Sequence, residues 1–414
     1  MNILFISHRI PYPPNKGEKI RSYNILHHLV QDHEVFVASM IDESKDIQFV
    51  PVLCSMIKQF RYDTISPLPK KLFSSIAFLQ SKPISSLYFY SRRLQHWIDN
   101  LLEDSGIEAI FCSSAPTAEY IFRSRHYGRK LNDIPRIMDL IDVDSCKWEQ
   151  YAERTSGMMS IIYGLEGKFL RKYEERIATE FDRVLLVSDA EKKTFLDRVP
   201  TAKAEALTNG VDLKYFSPSS SKSHQSAPKI VFTGMMDYWP NIDGTEWFLE
   251  NVFPLVLDAI PEVSFCIVGG RPSASILAKA NRFPNVKVTG YVDDIREYIS
   301  EAALCVAPLR VARGIQNKVL EAMSMGKPVV CTPQALEGIC AEHGKHLLAA
   351  DTAPDFAEAV IRLLRDPEMN EQIGRNARTL VRDNFSWESN LTPLDSIFNP
   401  GISYKRNTFS NITA

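Results

Sequence analysis

The sequence predicts an α/β protein built from two doubly wound, Rossmann-like domains, and three observations support that fold class. First, 414 residues exceed one ordinary hydrophobic core and suit two domains of roughly 200 residues each. Second, short apolar runs alternate with segments of helical period in both halves, as in parallel sheets covered by helices on both faces. Third, the serine-rich residues 215–228 show no hydrophobic period and are typical of a linker.

The predicted strands fall into two groups of five, separated by that linker. The first group comprises residues 2–7, 33–40, 108–114, 135–142 and 181–189. The second group comprises residues 229–234, 263–270, 286–292, 303–309 and 327–333. We therefore expect an N-terminal domain over 1–214, joined by a C-terminal helix at about 386–398, and a second domain over 229–385. Ligands of such sheets bind beyond the carboxyl ends of the strands, so we expect a ligand between the two domains.

Composition excludes several classes of protein. A hydrophobic content of 45%, a charged content of 24% and a net charge of −2 argue against disorder and against a dedicated nucleic-acid binder. The seven cysteines form no CxxC pair, which is typical of reduced thiols in a cytosolic protein. The start of the chain lacks a basic signal-peptide region, and no run reaches the roughly 20 apolar residues of a membrane helix. We expect a cytoplasmic protein.

Residues 307–330, APLRVARGIQNKVLEAMSMGKPVV, carry the clearest functional pattern. We expect a helix that begins at Gly314, directly after a strand and a basic loop, and that ends at Gly326. The free N–H groups and positive dipole of its first turn suit a diphosphate. Arg310, Arg313 and Lys318 would add cationic donors. Glu321 is placed to accept hydrogen bonds from a diol such as ribose. An amphipathic helix with a solvated charged face would show the same spacing of charged residues.

Three segments together carry a resemblance to a known family. Residues 307–330, FTGMMDYWPNIDG (232–244) and VTGYVDDIREY (288–298) resemble the family-4 retaining glycosyltransferases, which have the GT-B fold. The similarity is closest to the bacterial transferases associated with exopolysaccharide synthesis. The stretches SHRIPYPPNKGEKIRSYNIL, DLIDVDSCKWEQYA and FSWE extend it over most of the chain.

The resemblance implies a hexosyltransferase that takes a sugar from a nucleotide-diphosphate donor, with retention, to a saccharide or lipid-linked acceptor. It implies no metal and no cofactor besides the donor, and catalysis by charge aimed at the leaving diphosphate. The predicted catalytic residues are Arg310, Lys318, Asp142 and Asp144. The predicted nucleotide-sugar contacts are Gly17, Gly234, Tyr291, Arg313, Gly314, Ile315, Gln316 and Glu321.

The chain departs from the family pattern at two places in the donor site. The family usually has two glutamates with seven residues between them; Glu321 matches the second, but Arg313 stands where the first would be. The Arg and Lys that commonly follow the first strand of the C-terminal domain are also missing, and Met235, Asp237 and Asn241 stand there. Our hypothesis is that Arg310, Arg313 and Lys318 supply the positive charge for the diphosphate instead.

Two further segments supply candidates on the N-terminal side. The loop 11–21 places Gly17, Lys19 and Arg21 between a strand and a helix, where a glycine lets the backbone approach a ligand. Asp139, Asp142 and Asp144 cluster at the end of a predicted strand and would bind metal, orient acceptor hydroxyls or cap the next helix. Metal is disfavoured because no third ligand follows at a usual spacing.

Residues 64–98 combine basic and aromatic side chains and contain no Asp or Glu. Such a stretch suits either contact with the inner membrane surface or a basic helix pair packed on the domain. Two other functions also fit the predicted architecture as a whole. One is a sugar-nucleotide epimerase or hydrolase with the same fold, and the other is a scaffold that binds a nucleotide sugar without turnover.

Overall fold

A computed structural model describes residues 1–65, 81–218, 227–312 and 314–398. It confirms the predicted fold class, with two sheets whose paired strands run parallel. The first sheet has the strand order β3-β2-β1-β4-β5-β6-β7, and the second has the order β10-β9-β8-β11-β12-β13. In both, the chain starts near the middle, winds outward to one edge and then crosses to the other. This is the doubly wound arrangement that alternating strands and helices favour.

The strands of the first sheet all precede residue 214. They are β1 (Asn2–Ser7), β2 (Glu34–Ile41), β3 (Gln59–Thr64), β4 (Ala109–Ser113), β5 (Arg136–Ile141), β6 (Arg183–Leu186) and β7 (Ala204–Ala206). The strands of the second sheet all follow residue 228. They are β8 (Lys229–Thr233), β9 (Ser264–Val268), β10 (Val286–Val288), β11 (Leu304–Ala307), β12 (Val329–Cys331) and β13 (Leu348–Ala349).

Most helices lie between these strands, and the last three follow β13. Those of the first half are α1 (Gly17–Leu29), α2 (Val50–Cys54), α3 (Ile84–Tyr88), α4 (Arg92–Asp104), α5 (Ala118–Phe122), α6 (Asp144–Arg154), α7 (Met158–Glu180) and α8 (Asp189–Arg198). Those of the second half are α9 (Trp239–Trp247), α10 (Phe253–Ala259), α11 (Ala274–Ala280), α12 (Ile295–Glu301), α13 (Asn317–Ser324), α14 (Pro333–Leu336), α15 (Ala353–Arg365), α16 (Pro367–Asn384) and α17 (Trp387–Phe398).

The described residues divide into two compact units, and the division falls within β5. One unit comprises 1–65, 85–138 and 388–398; the other comprises 81–84, 139–218, 227–312 and 314–387. In the first unit, Asp395 of α17 lies 2.7 Å from His28 of α1. The C-terminal helix therefore packs with the opening strands and helices. The domain bounds 1–214 and 229–385 remain a prediction, since the two sheets separate at the linker and the two compact units separate at residue 138.

Each unit has its own aromatic core. Phe5 and Phe111 stack with ring centroids 5.2 Å apart in the first unit. In the second, Phe248 lies 4.7 Å from Phe265 and 5.9 Å from Phe356, and all three are fully buried. Burial of apolar side chains, to which such rings contribute large areas, supplies most of the free energy that opposes chain entropy. The seven cysteines are free thiols, and five of them are buried.

Part of the basic stretch 64–98 lies outside the described residues, namely 66–80. The described remainder includes α3 and most of α4, where Ser91 caps the helix by accepting from Arg93 and Leu94 N–H groups. Its contact with a membrane surface stays a prediction. In the described ranges, no helix combines the length and the apolar character that crossing a bilayer requires.

Two helical glycines test how tightly the second unit is packed. A Cβ at Gly374 in α16 would meet the carbonyl oxygen of Gly326, whereas one at Gly164 in α7 would meet only Ala152 Cβ, at 3.9 Å. We expect Gly374→Ala to lower the free energy of unfolding by about 1–3 kcal/mol through overpacking. Gly164→Ala should raise it by up to about 1 kcal/mol through helix propensity. Denaturant unfolding measures both, and equal effects of the two substitutions would contradict the packing described.

Candidate functional site

The loop after β11 holds a glycine that no other residue could replace without strain. Gly314 has φ +62°, in the left-handed region, and helix α13 begins only at Asn317. The expectation that the helix begins at Gly314 is therefore wrong, because a left-handed residue cannot join a right-handed helix. Gln316 is the N-cap residue, and its side-chain amide donates to the Gly314 carbonyl at 3.2 Å. Backbone and amide together shape a tight turn in front of the helix.

Gly314 also lies directly against the end of β5. A Cβ there would collide with Oδ1 of Asp142 and with Cγ1 of Val187. Asp142 and Gly314 belong to the same compact unit, so this approach is part of one packed structure. Close by, Ile315 is buried, and a Cβ at Gly338 would lie 3.1 Å from its Cγ1. The structure thus brings together Asp142, Gly314, Ile315 and Gln316, four of the residues that the sequence nominates.

Lys318, one residue into α13, directs its ammonium toward the loop after β8. Its Nζ donates to Oδ1 of Asn241 at 2.5 Å and lies 4.6 Å from the centroid of the Phe232 ring. A Cβ at Gly234 would lie 3.1 Å from that Nζ, so a glycine keeps this space open. Burial lowers the pKa of Lys318 to about 7, although the nearby charge of Glu321 acts in the opposite direction. The ammonium is poorly solvated where it stands.

Glu321, one helical turn after Lys318, also has a shifted pKa. Burial raises the pKa of its carboxyl group to about 7, against the lowering effect of Lys318. Within the described part of the chain, no side chain donates a hydrogen bond to this carboxylate. Two opposite charges that are both costly to bury therefore share the inner face of one helix. A polar ligand that bonds both groups would relieve part of that cost.

Arg310, in the loop before Gly314, is held by a neighbour. Its guanidinium grips Asp243 with two hydrogen bonds, from Nε to Oδ2 at 3.0 Å and from Nη2 to Oδ1. Nearly half of the Arg310 side chain is exposed. Arg310 therefore lies at the edge of the site, and two of its guanidinium N–H groups already bind the carboxylate of Asp243. Arg313, the other predicted arginine, lies outside the described residues.

The turn after β5 presents the predicted acidic pair. Ile141 has φ +72°, an unusual conformation for a β-branched residue, and Asp142 follows it. Asp144 is the first residue of α6, and its carboxylate lies 3.5 Å from Lys147. Val143 is the N-cap residue of α6 and makes no side-chain cap hydrogen bond. The third carboxylate, Asp139, is fully buried within β5.

Two buried glutamates that the sequence analysis missed hold this turn. Glu191 of α8 accepts the Val143 N–H at 2.7 Å. Glu174 of α7 accepts the N–H and hydroxyl of Ser145 at 2.9 and 2.5 Å, and burial raises its pKa to about 8. They lie 48 and 29 residues from their respective partners, so no local spacing could have revealed them. Together they take the place of an N-cap and fix the strained conformation.

The remaining nominated residues are placed elsewhere. Tyr291, after β10, is 69% exposed and stands beside Gly270. Gly17 begins α1 in the other compact unit, where a Cβ would meet nothing within 4 Å. Its neighbours Lys19 and Arg21 are buried, and Lys19 Nζ lies 3.0 Å from Asp46, so both take part in the packing of that unit. Among the described residues, no group of three potential metal ligands is found.

Comparison with known proteins confirms the resemblance drawn from the sequence. Residues 227–366 match the model of the family described as Glycosyl transferases group 1. An uncharacterised 44.6 kDa protein of the cps region of Klebsiella pneumoniae is 23% identical over 163 residues, 38% of this chain and 42% of the relative. A GDP-mannose-dependent monoacylated α-(1-6)-phosphatidylinositol monomannoside mannosyltransferase of Corynebacterium glutamicum is 26% identical over 53% of this chain and 62% of the relative. The chain thus spans less than two thirds of the length of either relative.

The fold is shared over nearly the full length. HepE of Anabaena, solved in complex with UDP and glucose, has a TM-score of 0.70 to this chain at 15% identity. The match covers 97% of this chain and all of HepE. At that identity the likeness shows the fold, which is GT-B.

Substitutions at two left-handed glycines of the second unit, Gly344 and Gly314, measure the effect of the contact between Gly314 and Asp142. Gly344 has φ +79° and open space where a Cβ would lie, whereas Gly314 has a similar φ and the Asp142 carboxylate in the way. We expect Gly344→Ala to lower the free energy of unfolding by about 1–2 kcal/mol. Gly314→Ala should lower the free energy of unfolding by about 1–3 kcal/mol more than Gly344→Ala does, through overpacking.

Adding Asp142→Ala to Gly314→Ala should recover part of that excess, because the colliding carboxylate is removed. Denaturant unfolding of the four proteins gives the comparison. If the two glycine variants lose the same stability, the close approach of Gly314 to Asp142 is wrong.

Proposed function

We propose that this chain, a member of the group 1 glycosyltransferases with the GT-B fold, moves a hexose from a nucleotide-diphosphate sugar to a saccharide or lipid-linked acceptor. The transfer retains the configuration of the anomeric carbon and serves the synthesis of an exopolysaccharide or surface glycan. The protein works in the cytoplasm and needs no metal or cofactor besides its donor. The observation that carries the proposal is the ammonium of Lys318, which is half-buried beside Gly234 and donates to Asn241.

The donor's diphosphate would lie between the Gly234 loop and the turn Gly314–Gln316. Lys318 would exchange Asn241 for a phosphate oxygen, and the N–H groups at the start of α13 would donate to the same group. Arg310 would release Asp243, because a diphosphate offers its guanidinium the same two-oxygen geometry with more charge. Arg313 remains a predicted contact. These donors stabilise the charge that grows on the diphosphate as the sugar departs.

Glu321 suits the ribose of the nucleotide. A carboxylate accepts hydrogen bonds from two neighbouring hydroxyls, and its position one turn deeper than Lys318 matches a nucleoside that continues inward from the phosphates. The burial that raises the pKa of Glu321 favours a ligand that donates hydrogen bonds to it. The two ribose hydroxyls would thereby become hydrogen-bond donors to Glu321.

Asp142 and Asp144 are proposed to orient the acceptor. Asp142 stands against Gly314 and Asp144 opens α6, on the strained turn that Glu174 and Glu191 fix. In a retaining transfer the acceptor hydroxyl enters on the face that the diphosphate leaves, so no side-chain nucleophile is required. The protein contributes position and charge.

Support for the donor class comes from the similar proteins. The mannosyltransferase of Corynebacterium is described as GDP-mannose-dependent, and HepE was solved with UDP and glucose. The two descriptions name different bases, so the base for this chain has to be measured. A thermal-shift panel of UDP, GDP, ADP and TDP answers that question, since only a bound nucleotide raises the midpoint.

Binding of the selected nucleotide should take up a proton above pH 7. Because the pKa of Lys318 is about 7, most of the free protein lacks that proton at pH 8. The diphosphate requires the charged form, so affinity should fall as the pH rises from 7 to 9. Isothermal titration at pH 8 in two buffers of different ionisation enthalpy should give a net uptake of protons, up to about one per site.

Variants of two lysines provide the controls for that titration. Lys318→Met should weaken binding about 10–100-fold, the value of a charge-assisted hydrogen bond. Lys318→Arg should abolish the proton uptake, since a guanidinium stays charged. Lys287→Met removes an exposed lysine of the same sheet and should change neither quantity. Unaltered binding by Lys318→Met would refute the placement of the diphosphate.

Transfer itself is tested with a labelled sugar of the selected nucleotide. We expect label to move into a saccharide or lipid fraction, with retention visible in the NMR coupling of the anomeric proton. Lys318→Ala or Arg310→Ala should lower turnover about 10²–10³-fold, more than Asp144→Asn, because charge on the leaving group dominates. Equal consumption of donor without any acceptor would favour an epimerase or hydrolase, binding without consumption would favour a scaffold, and an inverted product would exclude retention.

A further inference from the structure

The helical hairpin formed by α6 and α7 ends in an exposed apolar surface. Gly157, with φ +73°, makes the turn between the two helices, and α7 begins at Met158. Met158 is 77% exposed and Ile161 is 66% exposed, and Met159 and Leu165 are exposed as well. We call these four side chains the α7 tip. Four large apolar side chains exposed on two turns of one helix suggest a contact with another apolar phase.

The helix arranges apolar and basic side chains along a single stripe. Met158, Ile161, Leu165, Lys168 and Lys172 follow one another at steps of three and four residues, so they share one face of α7. All five are exposed. The apolar part of the stripe is about 10 Å long, and the lysines begin about one turn after it. The one acidic residue of the interval, Glu166, is buried and accepts the N–H of Ile84.

We propose that the α7 tip inserts into the headgroup region of an anionic lipid bilayer. Interfacial helices bury apolar side chains about 5–10 Å deep and keep cations at the level of the phosphates. The stripe has those dimensions and that order of side chains, since the three apolar residues come first and the two lysines follow. The negative charge of an anionic bilayer complements the lysines. A stable contact with a second copy takes about 20–30 residues on each side, far more than this tip offers.

Aromatic contacts join the two helices of the hairpin and connect α6 to the start of α9. Trp148 and Tyr151 of α6 contact Tyr163 of α7, with ring centroids 5.3 and 6.1 Å apart. Tyr151 also contacts Trp239, after β8, at 5.3 Å. Asp144 is the first residue of α6, and the eleven residues from there to Arg154 span about 15 Å. A bilayer-bound tip would therefore hold Asp144 within about 15–20 Å of the headgroups, within reach of a lipid-linked acceptor.

This inference rests on the proposed function only in its choice of acceptor, and the test separates the two. The full-length protein is mixed with vesicles of phosphatidylcholine alone or with about 30% phosphatidylglycerol, which supplies the anionic surface, and the bound fraction is measured by sedimentation. Nucleotide binding by thermal shift is recorded on the same samples. A protein that binds nucleotide but not vesicles refutes the membrane contact alone, and the reverse result refutes the donor site alone.

Matched variants locate the contact. The triple variant Met158→Ser, Ile161→Ser, Leu165→Ser should lose vesicle binding at least about 30-fold, whereas Leu255→Ser with Leu277→Ser, which removes two similarly exposed leucines, should not. The double variant Lys168→Glu, Lys172→Glu should bind anionic vesicles about 30-fold or more weakly. The control Lys203→Glu, Lys214→Glu, which changes two exposed lysines elsewhere, should lose much less of this binding.

All variants should retain the nucleotide-induced thermal shift, which reports that they fold. Equal losses in the tip and control variants would overturn the proposal. So would a dimer of the free protein that the triple serine variant dissolves, because that outcome assigns the α7 tip to a second copy of the chain.

Discussion

The close approach of Gly314 to the carboxylate of Asp142 is the constraint on which the rest of the site depends. It ties the turn after β5 to the turn before α13, and it requires a left-handed glycine at one end and a strained Ile141–Asp142 turn at the other. Glu174 and Glu191 fix the strained turn through its backbone N–H groups. With both turns fixed, the carboxylates of Asp142 and Asp144 keep a constant position relative to the N-terminus of α13. Catalysis by position needs such preorganisation.

The second feature is a pair of charges that the fold stabilises poorly. Lys318 and Glu321 lie on one helix with their pKa values shifted toward each other, because burial disfavours the charged form of both. Stability alone gives no reason to keep them, since taking charged groups out of water is seldom more stabilising than burying hydrophobic residues in their place. A diphosphate for the ammonium and a diol for the carboxylate would supply the missing hydrogen bonds. On the proposed function, the cost of holding these two charges would favour the binding of a nucleotide.

The sequence predicted the fold class and most strands because buried parallel strands are short continuous apolar runs. It missed β3, β7 and β13, two of which have only two or three residues, while β3 is a largely polar edge strand. It placed Gly314 in the helix, since left-handed geometry leaves no trace in helical spacing. It could not find Glu174 and Glu191, whose partners are distant in sequence. The methionines at the start of α7 are exposed, but helical spacing alone does not distinguish an exposed apolar stripe from a buried one.

The central claim is that Lys318 and the turn before α13 bind the donor's diphosphate. A crystal structure with the nucleoside diphosphate selected by thermal shift tests it most directly. We predict phosphate oxygens within about 2.7–3.2 Å of Lys318 Nζ and of an N–H group between Gly314 and Asn317, with Asn241 displaced from the ammonium. A diphosphate bound elsewhere, with Lys318 still donating to Asn241, would contradict the account.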